Sequence, residues 1–197
     1  MPDRTTDELL LERAGDGDQA AFVELYQRHR KPIFDFAYRI LGSVELAEDV
    51  THDCFLGLIR KPENFVPGRG LLRTYLFSAA RNLSMKHFRV SAKETAMEEL
   101  KEEPAVSVKE EPLRRLLDEE LSSKVKQAVI ALPPLQREAL VLFEYEGLPL
   151  SEIAIIVGTD VGAVKARLHR ARERLKNALR PYLNTSPEIV TLEQAWK

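Results

Sequence analysis

A strongly basic segment with helical spacing lies near the end of the chain, between residues 163 and 180. It carries seven lysine and arginine side chains, and Glu173 is its only acid, although the whole chain has a formal net charge of -2. Apolar residues recur among the cations at spacings of three and four: Val164, Leu168, Ala171 and Leu175. This spacing predicts an amphipathic α-helix. Solvated helices usually mix charges of both signs to limit repulsion, so the one-sided charge favours a polyanionic partner over a merely solvated face.

The residues upstream of the basic segment predict a first helix. Pro133 and Pro134 suit a helix start, where a missing backbone N–H has little consequence. Gly147 and Pro149 mark its end. A helical stripe between these positions is expected to face inward: Leu135, Ala139, Leu140 and Phe143. The segment is therefore expected to pack against its neighbours as a helix.

A short apolar helix follows and leads through a tight turn into the basic helix. Ser151 suits its N-cap, Gly158 suits the positive φ of the turn, and Asp160 is expected to cap the basic helix. Ala154 is small where the two helices would cross, and Val164 is placed to pack one on the other. Two helices joined in this way form a helix-turn-helix, whose second helix enters the major groove of DNA.

The periodicity of the basic helix assigns different roles to its polar residues. With the apolar stripe inward, the opposite face carries the candidates for contact with base edges: Lys165, Ala166, His169 and Arg170. Arginine and lysine can donate to guanine, and an alanine methyl can touch a thymine methyl. The cations that flank this face are candidates for phosphate contact, which positions a protein without reading sequence: Arg167, Arg172, Arg174 and Lys176.

Composition limits the fold and the classes of function. The chain has 197 residues, of which 44% are apolar, with nine glycines and few of the period-two patterns of strands, so an all-α fold is expected. The single cysteine, Cys54, excludes an internal disulfide and fits a reducing cytoplasm. It lies between apolar positions, as a buried, inert thiol would. The charged N-terminus has no signal-peptide core, and no apolar run is long enough to insert into a membrane.

The sequence offers no constellation for catalysis or for a cofactor. There is no glycine-rich phosphate loop, no paired cysteine and histidine nucleophile, and the four histidines are scattered. His52 and Cys54 are two residues apart, so a helix would point them in different directions, away from a shared metal. We therefore expect no catalytic residues, no metal, no cofactor and no small-molecule substrate.

The middle of the chain predicts a flexible linker between two helical domains. Residues 91–112 hold seven glutamates, three lysines, two prolines and few large apolar side chains. The expected organisation is a helical domain at 5–90, an acidic linker at 91–117, a helix-turn-helix domain at 118–183 and a tail at 184–197.

The N-terminal domain has a charge order of its own. Between Glu63 and Glu94 there are six cations, no acid and several aromatic residues, a combination that suits single-stranded nucleic acid. Most of these rings are expected in the core, whereas Phe65 lies in a proline- and glycine-containing loop and is the better candidate for contact. An earlier helix leaves one acidic outer face, which includes Glu48, Asp49, His52 and Asp53.

Three long segments resemble the bacterial RNA polymerase sigma factors of the extracytoplasmic-function (ECF) type. The segment "AFVELYQRHRKPIFDFAYRILGSVELAEDVTHDCFLGLI" resembles the first half of the family's region 2, and "LLRTYLFSAARNLSMKHFR" resembles its second half. The segment "LPPLQREALVLFEYEGLPLSEIAIIVGTDVGAVKARLHRARERLKNAL" resembles region 4. The order and spacing of the matches are those of the family, and they cover most of the chain outside the linker and the tail.

The resemblance implies a transcription initiation factor that binds core RNA polymerase and promoter DNA. The acidic face would meet the polymerase, and the basic helix would read the −35 element as duplex. The −10 element would be read as a melted strand by a loop and the helix after it: Phe65, Arg69, Leu71, Arg73, Arg81, Asn82 and Lys86. The linker would run toward the polymerase active-site channel, and an anti-sigma factor would hold the chain until a signal releases it.

Two positions depart from the family pattern, and other readings stay open. The family usually has glutamine at the position of His52 and tryptophan at that of Tyr75. The tail, which contains the only tryptophan, Trp196, is either disordered or a short partner-binding helix. The alternative function is a stand-alone helix-turn-helix regulator that does not engage polymerase. A protein-binding adaptor with a basic helix is a further rival.

Overall fold

The computed structural model describes residues 6–66, 68, 70–95 and 113–183, and all regular structure in these ranges is helical, which confirms the all-α prediction. Two short turns accompany the α-helices, a 3₁₀ turn at Pro62–Asn64 and a π-helical turn at Val141–Tyr145. The α-helices of the described ranges are α1 (Asp7–Gly15), α2 (Gln19–Leu41), α3 (Val44–Arg60), α4 (Leu72–Thr95), α5 (Leu113–Ile130), α6 (Pro134–Leu140), α7 (Leu150–Val157) and α8 (Val161–Leu183).

Helices α1 to α4 form the N-terminal region, and side-chain caps define where its helices begin. The Asp18 carboxylate accepts hydrogen bonds from the backbone N–H groups of Ala20 and Ala21 at the start of α2. This helix continues through Pro32 and ends at Gly42, whose φ of 75° is left-handed. The Ser43 hydroxyl then caps α3. Helix α1 was not expected from its short, strongly charged sequence, yet Leu10 in it is fully buried.

The interior of this region is aromatic and aliphatic. The rings of Phe36 and Phe77 meet edge to face with centroids 5.5 Å apart, which ties α2 to α4. Cys54 on α3 is 2% exposed, and burial raises the pKa of its thiol to about 12. The prediction of a buried cysteine is thus confirmed, and the raised pKa keeps the thiol in its unreactive protonated form.

Helices α5 to α8 form the C-terminal region, and its first predicted helix differs from expectation in two ways. Helix α6 begins at Pro134 as predicted, but Leu135 is 47% exposed rather than inward. The first turn of α6 faces solvent, and burial begins at Arg137. The chain then passes into a π-helical turn, a local widening that the periodicity did not predict.

The helix-turn-helix has the predicted geometry except at one cap. Helix α7 begins at Leu150, and Pro149 occupies the N-cap, so the expectation that Ser151 caps this helix is wrong. Proline fixes the backbone before the first turn, and the helix starts two residues earlier than a cap at Ser151 would allow. Gly158 has a φ of 66°, and the Asp160 carboxylate accepts a hydrogen bond from the N–H of Ala163 at 2.8 Å. Both features agree with the prediction.

The helices that flank the predicted linker are longer than expected. Helix α4 continues to Thr95 and α5 begins at Leu113, so both ends of the predicted 91–117 linker are helical. Residues 96–112 and the tail at 184–197 lie outside the described residues. Within the described ranges, no helix combines the length and the apolar character that crossing a bilayer requires.

The two regions pack against each other, with α4 against α7 and α2 against α5 and α6. This packing places the surface predicted to bind a DNA strand beside the helix-turn-helix.

Candidate nucleic-acid interface

The face of α8 that was predicted to read bases is open to solvent. We call Lys165, Ala166, His169 and Arg170 the reading face. Three of its residues are exposed and Ala166 is half-buried. The opposite side of the helix is packed, with Val164 and Ala171 fully buried. Within the described part of the chain, no hydrogen bond or ion pair engages Lys165, His169 or Arg170, so these polar groups are available to a ligand.

The cations beside the reading face fall into two classes. Arg174 and Lys176 are exposed. Arg172 donates to Glu144 at 2.6 Å and lies over the ring of Phe143, with 5.4 Å between the guanidinium carbon and the ring centroid. These contacts fix the orientation of the Arg172 side chain, which stays partly exposed at the surface.

Arg167 differs from the other flanking cations. Its guanidinium donates to the Glu138 carboxylate at 3.0 Å, and its side chain is only 18% exposed. The expectation that it lies free for a phosphate is therefore wrong for this arrangement. Helix α6 places the buried Glu138 carboxylate beneath α8, and Arg167 contributes to neutralising its charge.

The acidic side of α3 is arranged as the sequence predicted. We call Glu48, Asp49, His52 and Asp53 the acidic face, and all four residues are exposed. The other side of the helix is buried through Ala47, Val50 and Cys54. Spacings of three and four place the exposed residues on one stripe, which is a surface suited to a cationic protein partner.

The expected strand-binding residues are only partly brought together at a surface. Leu71 is 54% exposed, and Asn82 and Lys86 are exposed along α4. Arg69 lies outside the described residues. With Arg73 and Arg81, the described residues Leu71, Asn82 and Lys86 form what we call the strand surface.

Phe65 does not belong to this surface. It is 5% exposed and meets the ring of Tyr75 edge to face at 5.8 Å between centroids. The expectation that its ring projects for contact is wrong. The loop folds back so that the aromatic side chain completes the core, where its burial stabilises the fold. Tyr75 is half-buried in this pair, so it keeps an aromatic packing role.

Arg73 and Arg81 are engaged by carboxylates from the C-terminal region. The Arg73 guanidinium lies 3.3 Å from a Glu152 carboxylate oxygen, which also accepts from the Thr74 hydroxyl at 3.1 Å. Arg81 donates from Nε to Glu138 Oε2 at 2.8 Å. Helix α4 therefore directs two of its cations toward α6 and α7, although the Arg73 side chain is still 41% exposed.

Two buried charged residues that the sequence reasoning did not single out organise this junction. Glu138 is fully buried, and burial raises the pKa of its carboxyl, although the guanidinium of Arg81 opposes the shift. It pairs with Arg81 on one side and Arg167 on the other. The only sequence signal was a pair of charges in "QREAL" that interrupts an otherwise apolar helical stripe.

The second of these residues is Arg137, which is 7% exposed. Its guanidinium donates to the backbone carbonyls of Ile40, Ile130 and Leu132, and it lies over the ring of Phe88. Burial lowers the pKa of this guanidinium. Arg137 thus satisfies carbonyl groups at the C-terminal ends of α2 and α5 and joins the two regions.

In the described ranges, no three histidine, cysteine, aspartate or glutamate residues come together in a way that could hold a metal ion. The geometry is instead that of a binding protein with one exposed base-reading helix, one exposed acidic face and one partly covered cationic surface.

Comparison with known proteins places these surfaces in a family. A family model for sigma-70 region 2 matches residues 25–94, and one for sigma-70 region 4 matches residues 122–175. The RNA polymerase sigma-H factor of Pseudomonas aeruginosa is 31% identical to this chain, over 90% of the chain and 95% of that protein. The ECF RNA polymerase sigma-E factor of Escherichia coli K12 is 30% identical, over 93% of the chain and 99% of that protein.

Solved structures agree with the sequence comparison. The sigma factor RpoE of Bartonella quintana, in complex with the anti-sigma factor NepR, superimposes with a TM-score of 0.66 at 25% identity, over 81% of this chain and 96% of that one. CnrH, in complex with the cytosolic domain of CnrY, gives a TM-score of 0.65 at 25% identity, over 89% and 97% of the two chains.

Both family models, in the expected order, fall on the two helical regions, and the relatives match over nearly their whole length. The chain belongs to the ECF RNA polymerase sigma factors of the sigma-70 family, which bind core polymerase and direct it to promoters.

Proposed function

We propose that α8 reads the −35 element of its promoters as duplex DNA, through the reading face. The observation that supports this most strongly is the exposure of Lys165, His169 and Arg170 opposite a fully packed stripe. Arg170 and Lys165 would donate to acceptors on guanine, and Ala166 would contact a thymine methyl. Arg172, Arg174 and Lys176 would meet phosphates and set the register of the helix.

The strand surface is the proposed site for the melted −10 strand. Leu71 and Asn82 are exposed at the start and on the outer side of α4, where they can contact an unstacked base. Lys86 supplies a nearby positive charge. Arg73 and Arg81 would join them once released from Glu152 and Glu138. Phe65 would act beneath this surface by supporting Tyr75, and Arg69 stays a sequence-based candidate.

The acidic face is the proposed docking surface for core polymerase. Its three carboxylates and His52 are exposed on one stripe of a helix whose other side is anchored in the core. A rigid acidic stripe suits a basic surface, and charge complementarity would set the docking orientation.

The relatives suggest how the chain is regulated. Both structural neighbours are in complex with a protein partner, the anti-sigma factor NepR in one and the cytosolic domain of CnrY in the other. We therefore propose that an anti-sigma factor controls this chain in the cytoplasm, where polymerase is found. The chain would contribute specificity rather than catalysis, since polymerase carries out the chemistry, and it would need no cofactor.

The decisive experiment is transcription in vitro. The purified chain is added to bacterial core polymerase with genomic fragments from its source organism, and the 5′ ends of the transcripts are sequenced. Discrete start sites that share two upstream elements are expected. The Arg170→Ala variant serves as the matched control, because it should lose those start sites while it still binds core.

The stand-alone regulator remains the alternative that this experiment would favour on failure. Its signature would be salt-sensitive duplex binding without initiation and without association with core polymerase. The exposed acidic face favours the sigma factor, because duplex binding alone gives no role to an exposed acidic stripe on α3.

A further inference from the structure

A groove between the two regions is lined by apolar side chains that the proposed function does not use. It has a volume of about 640 Å³ and lies between α2, α5 and the π-helical turn. Within the described part of the chain, Ile130 is 37% exposed there and Tyr145 is 43% exposed. Exposed apolar side chains gathered in a groove are typical of a binding site. The aromatic and aliphatic lining residues are Phe34, Tyr38, Val125, Val129, Ile130 and Tyr145.

The groove offers a surface suited to an aromatic side chain. Phe34 and Tyr38 lie one turn apart on α2, and their half-buried rings are stacked, with 6.3 Å between centroids and 4° between planes. Tyr145 supplies a third ring, with the guanidinium carbon of Arg39 at 4.5 Å from its centroid. Aromatic rings bury large apolar areas and pack favourably against one another. An occupant with one aromatic residue and aliphatic neighbours would therefore fit this groove.

The end of α8 brings the tail of the chain close to the groove. Helix α8 ends at Leu183, and the Lys124 ammonium of α5 lies 5.5 Å from the centroid of the Tyr182 ring. The same helix α5 supplies Val125 to the groove. Trp196 follows thirteen residues after Leu183. Even in a helix this segment spans ~20 Å, more than the ~10–12 Å width of one helix, so the tail is long enough to pass around α5.

The tail has the sequence pattern that the groove requires. Residues 184–197, which lie outside the described ranges, contain the only tryptophan of the chain. Ile189, Leu192 and Trp196 are spaced by three and four, which predicts one apolar stripe on a helix. The serine and proline that precede this stripe are typical of a helix start.

Charge also favours the tail as the occupant. Lys126 lines the groove and is exposed. The Asp35 carboxylate, which lines it too, is paired with Lys31. Glu188 and Glu193 flank the apolar stripe of the tail, so a docked tail would bring acidic side chains to the lysine.

We propose that this groove is a docking site for the chain's own tail, which binds as a short helix and places Trp196 against the rings of Phe34 and Tyr38. Attachment to α8 favours the tail over a separate molecule, because a short tether gives a high effective concentration. The linker residues 96–112 contain no aromatic side chain and match the groove less well. The bound tail would contact both regions, since α2 belongs to one and α5 to the other. The proposal does not depend on which residues contact DNA.

Trp196 is a built-in reporter of this contact, because selective excitation of tryptophan observes that residue alone. In the full-length chain, its emission should lie at shorter wavelength, and acrylamide should quench it less, than in a synthetic peptide of residues 184–197. Leu192→Glu should abolish both differences, since it places a charge on the apolar stripe. Thr191→Glu is the matched control, because it adds the same charge beside the stripe and should keep the wild-type emission.

A second pair of variants tests the groove itself. Val125→Glu puts a charge into the lining and should also give Trp196 the emission of the free peptide. Gln127→Glu, at an exposed position of α5 that does not line the groove, should leave the emission unchanged. Circular dichroism verifies folding, and Tyr145→Ser, at an exposed lining residue, replaces Val125→Glu if that variant does not fold.

The outcomes separate docking in this groove from other arrangements. The expected response of both pairs supports the proposal. A wild-type emission equal to that of the peptide overturns it. A short-wavelength emission that responds to Leu192→Glu but not to the groove variants also overturns it, because the tail would then bind elsewhere. Loss of the shift on dilution, with a dimer in light scattering, would assign the groove to the tail of a second copy and overturn docking within one chain.

Discussion

The reading face of α8 and the strand surface of α4 were predicted from the same kind of signal, a run of cations without compensating acids, yet the structure treats them differently. Lys165, His169 and Arg170 are exposed without partners among the described residues. Arg73 and Arg81, by contrast, are held by Glu152 and Glu138. Charge patterning therefore predicts which ligand a surface suits, whereas tertiary packing decides whether the surface is available.

The difference follows from what each helix packs against. Helix α8 buries one apolar stripe on α6 and α7, and its reading face points away from that contact. Helix α4 packs on α2 and α3 and then on α7, so little of its circumference is left free. A duplex can approach the reading face without rearrangement, while a single strand meets a surface already in use.

The largest effect is expected from Arg137→Met, which would remove the hydrogen bonds of Arg137 at the junction between the two regions. The carbonyls of Ile40, Ile130 and Leu132 would lose their donor, and each buried carbonyl left unsatisfied costs about 1–3 kcal/mol. We expect the free energy of unfolding to fall by roughly 3–5 kcal/mol in urea titrations. Arg174→Met, at an exposed arginine, should change it by less than about 0.5 kcal/mol. If the two variants lowered the free energy of unfolding equally, the hydrogen bonds of Arg137 would not be what stabilises the junction.

Next in size is the effect of Arg170→Ala on duplex recognition. Loss of a bidentate contact to guanine should weaken binding to the upstream promoter element by about 1–3 kcal/mol, or roughly fivefold to 150-fold. Electrophoretic mobility shifts at fixed salt measure this effect, and binding to core polymerase should not change. Arg180→Ala, further along the same helix and also exposed, is the control. If Arg180→Ala reduced affinity as much as Arg170→Ala, general charge rather than base reading would explain binding.

A smaller effect is expected at the acidic face. Asp49→Ala should weaken binding to core polymerase by roughly twofold to fivefold, the range of an exposed charge pair, and leave duplex binding intact. Surface plasmon resonance with immobilised core measures this change, and Glu12→Ala, an exposed acid on α1, is the control. Should Asp49→Ala and Arg170→Ala fail in the same assay, the division of roles between the two regions would be wrong.

The sequence predicted the helix-turn-helix well because its signals are local. A left-handed glycine at Gly158, a capping carboxylate at Asp160 and a small residue at Ala154 each act within a few residues of their position. The exposed face of α8 follows from its periodicity alone.

The parts that sequence reasoning missed depend on contacts between distant residues. Phe65 and Tyr75 meet across a loop and a helix, and Arg81 and Glu138 are 57 positions apart. The spacing of apolar residues along one helix cannot predict contacts between residues so far apart in the sequence. The prediction that Phe65 is exposed was wrong because an aromatic ring in a loop can still fold back into the core. Burial of its apolar surface stabilises that position relative to one in solvent.

The smallest effect is expected at Cys54, whose alkylation should be the same in the wild-type chain and in a variant that weakens the contact between the regions. Cys54 lies in the core of the N-terminal region, with a pKa raised from 9.0 to about 12 by burial. Folding therefore holds the thiol protonated; its contribution to stability is complete below pH 9 and is lost as the pH rises toward 12. At pH 8 the folded chain should resist iodoacetamide, whereas the chain in urea should react readily, as mass spectrometry would record. The Arg39→Ala/Glu152→Gln variant, which removes two ion pairs between the regions, should resist equally, because neither ion pair lies in the interior of the N-terminal region. Faster alkylation of that variant would mean that the contacts between the regions also hold the interior of the N-terminal region closed.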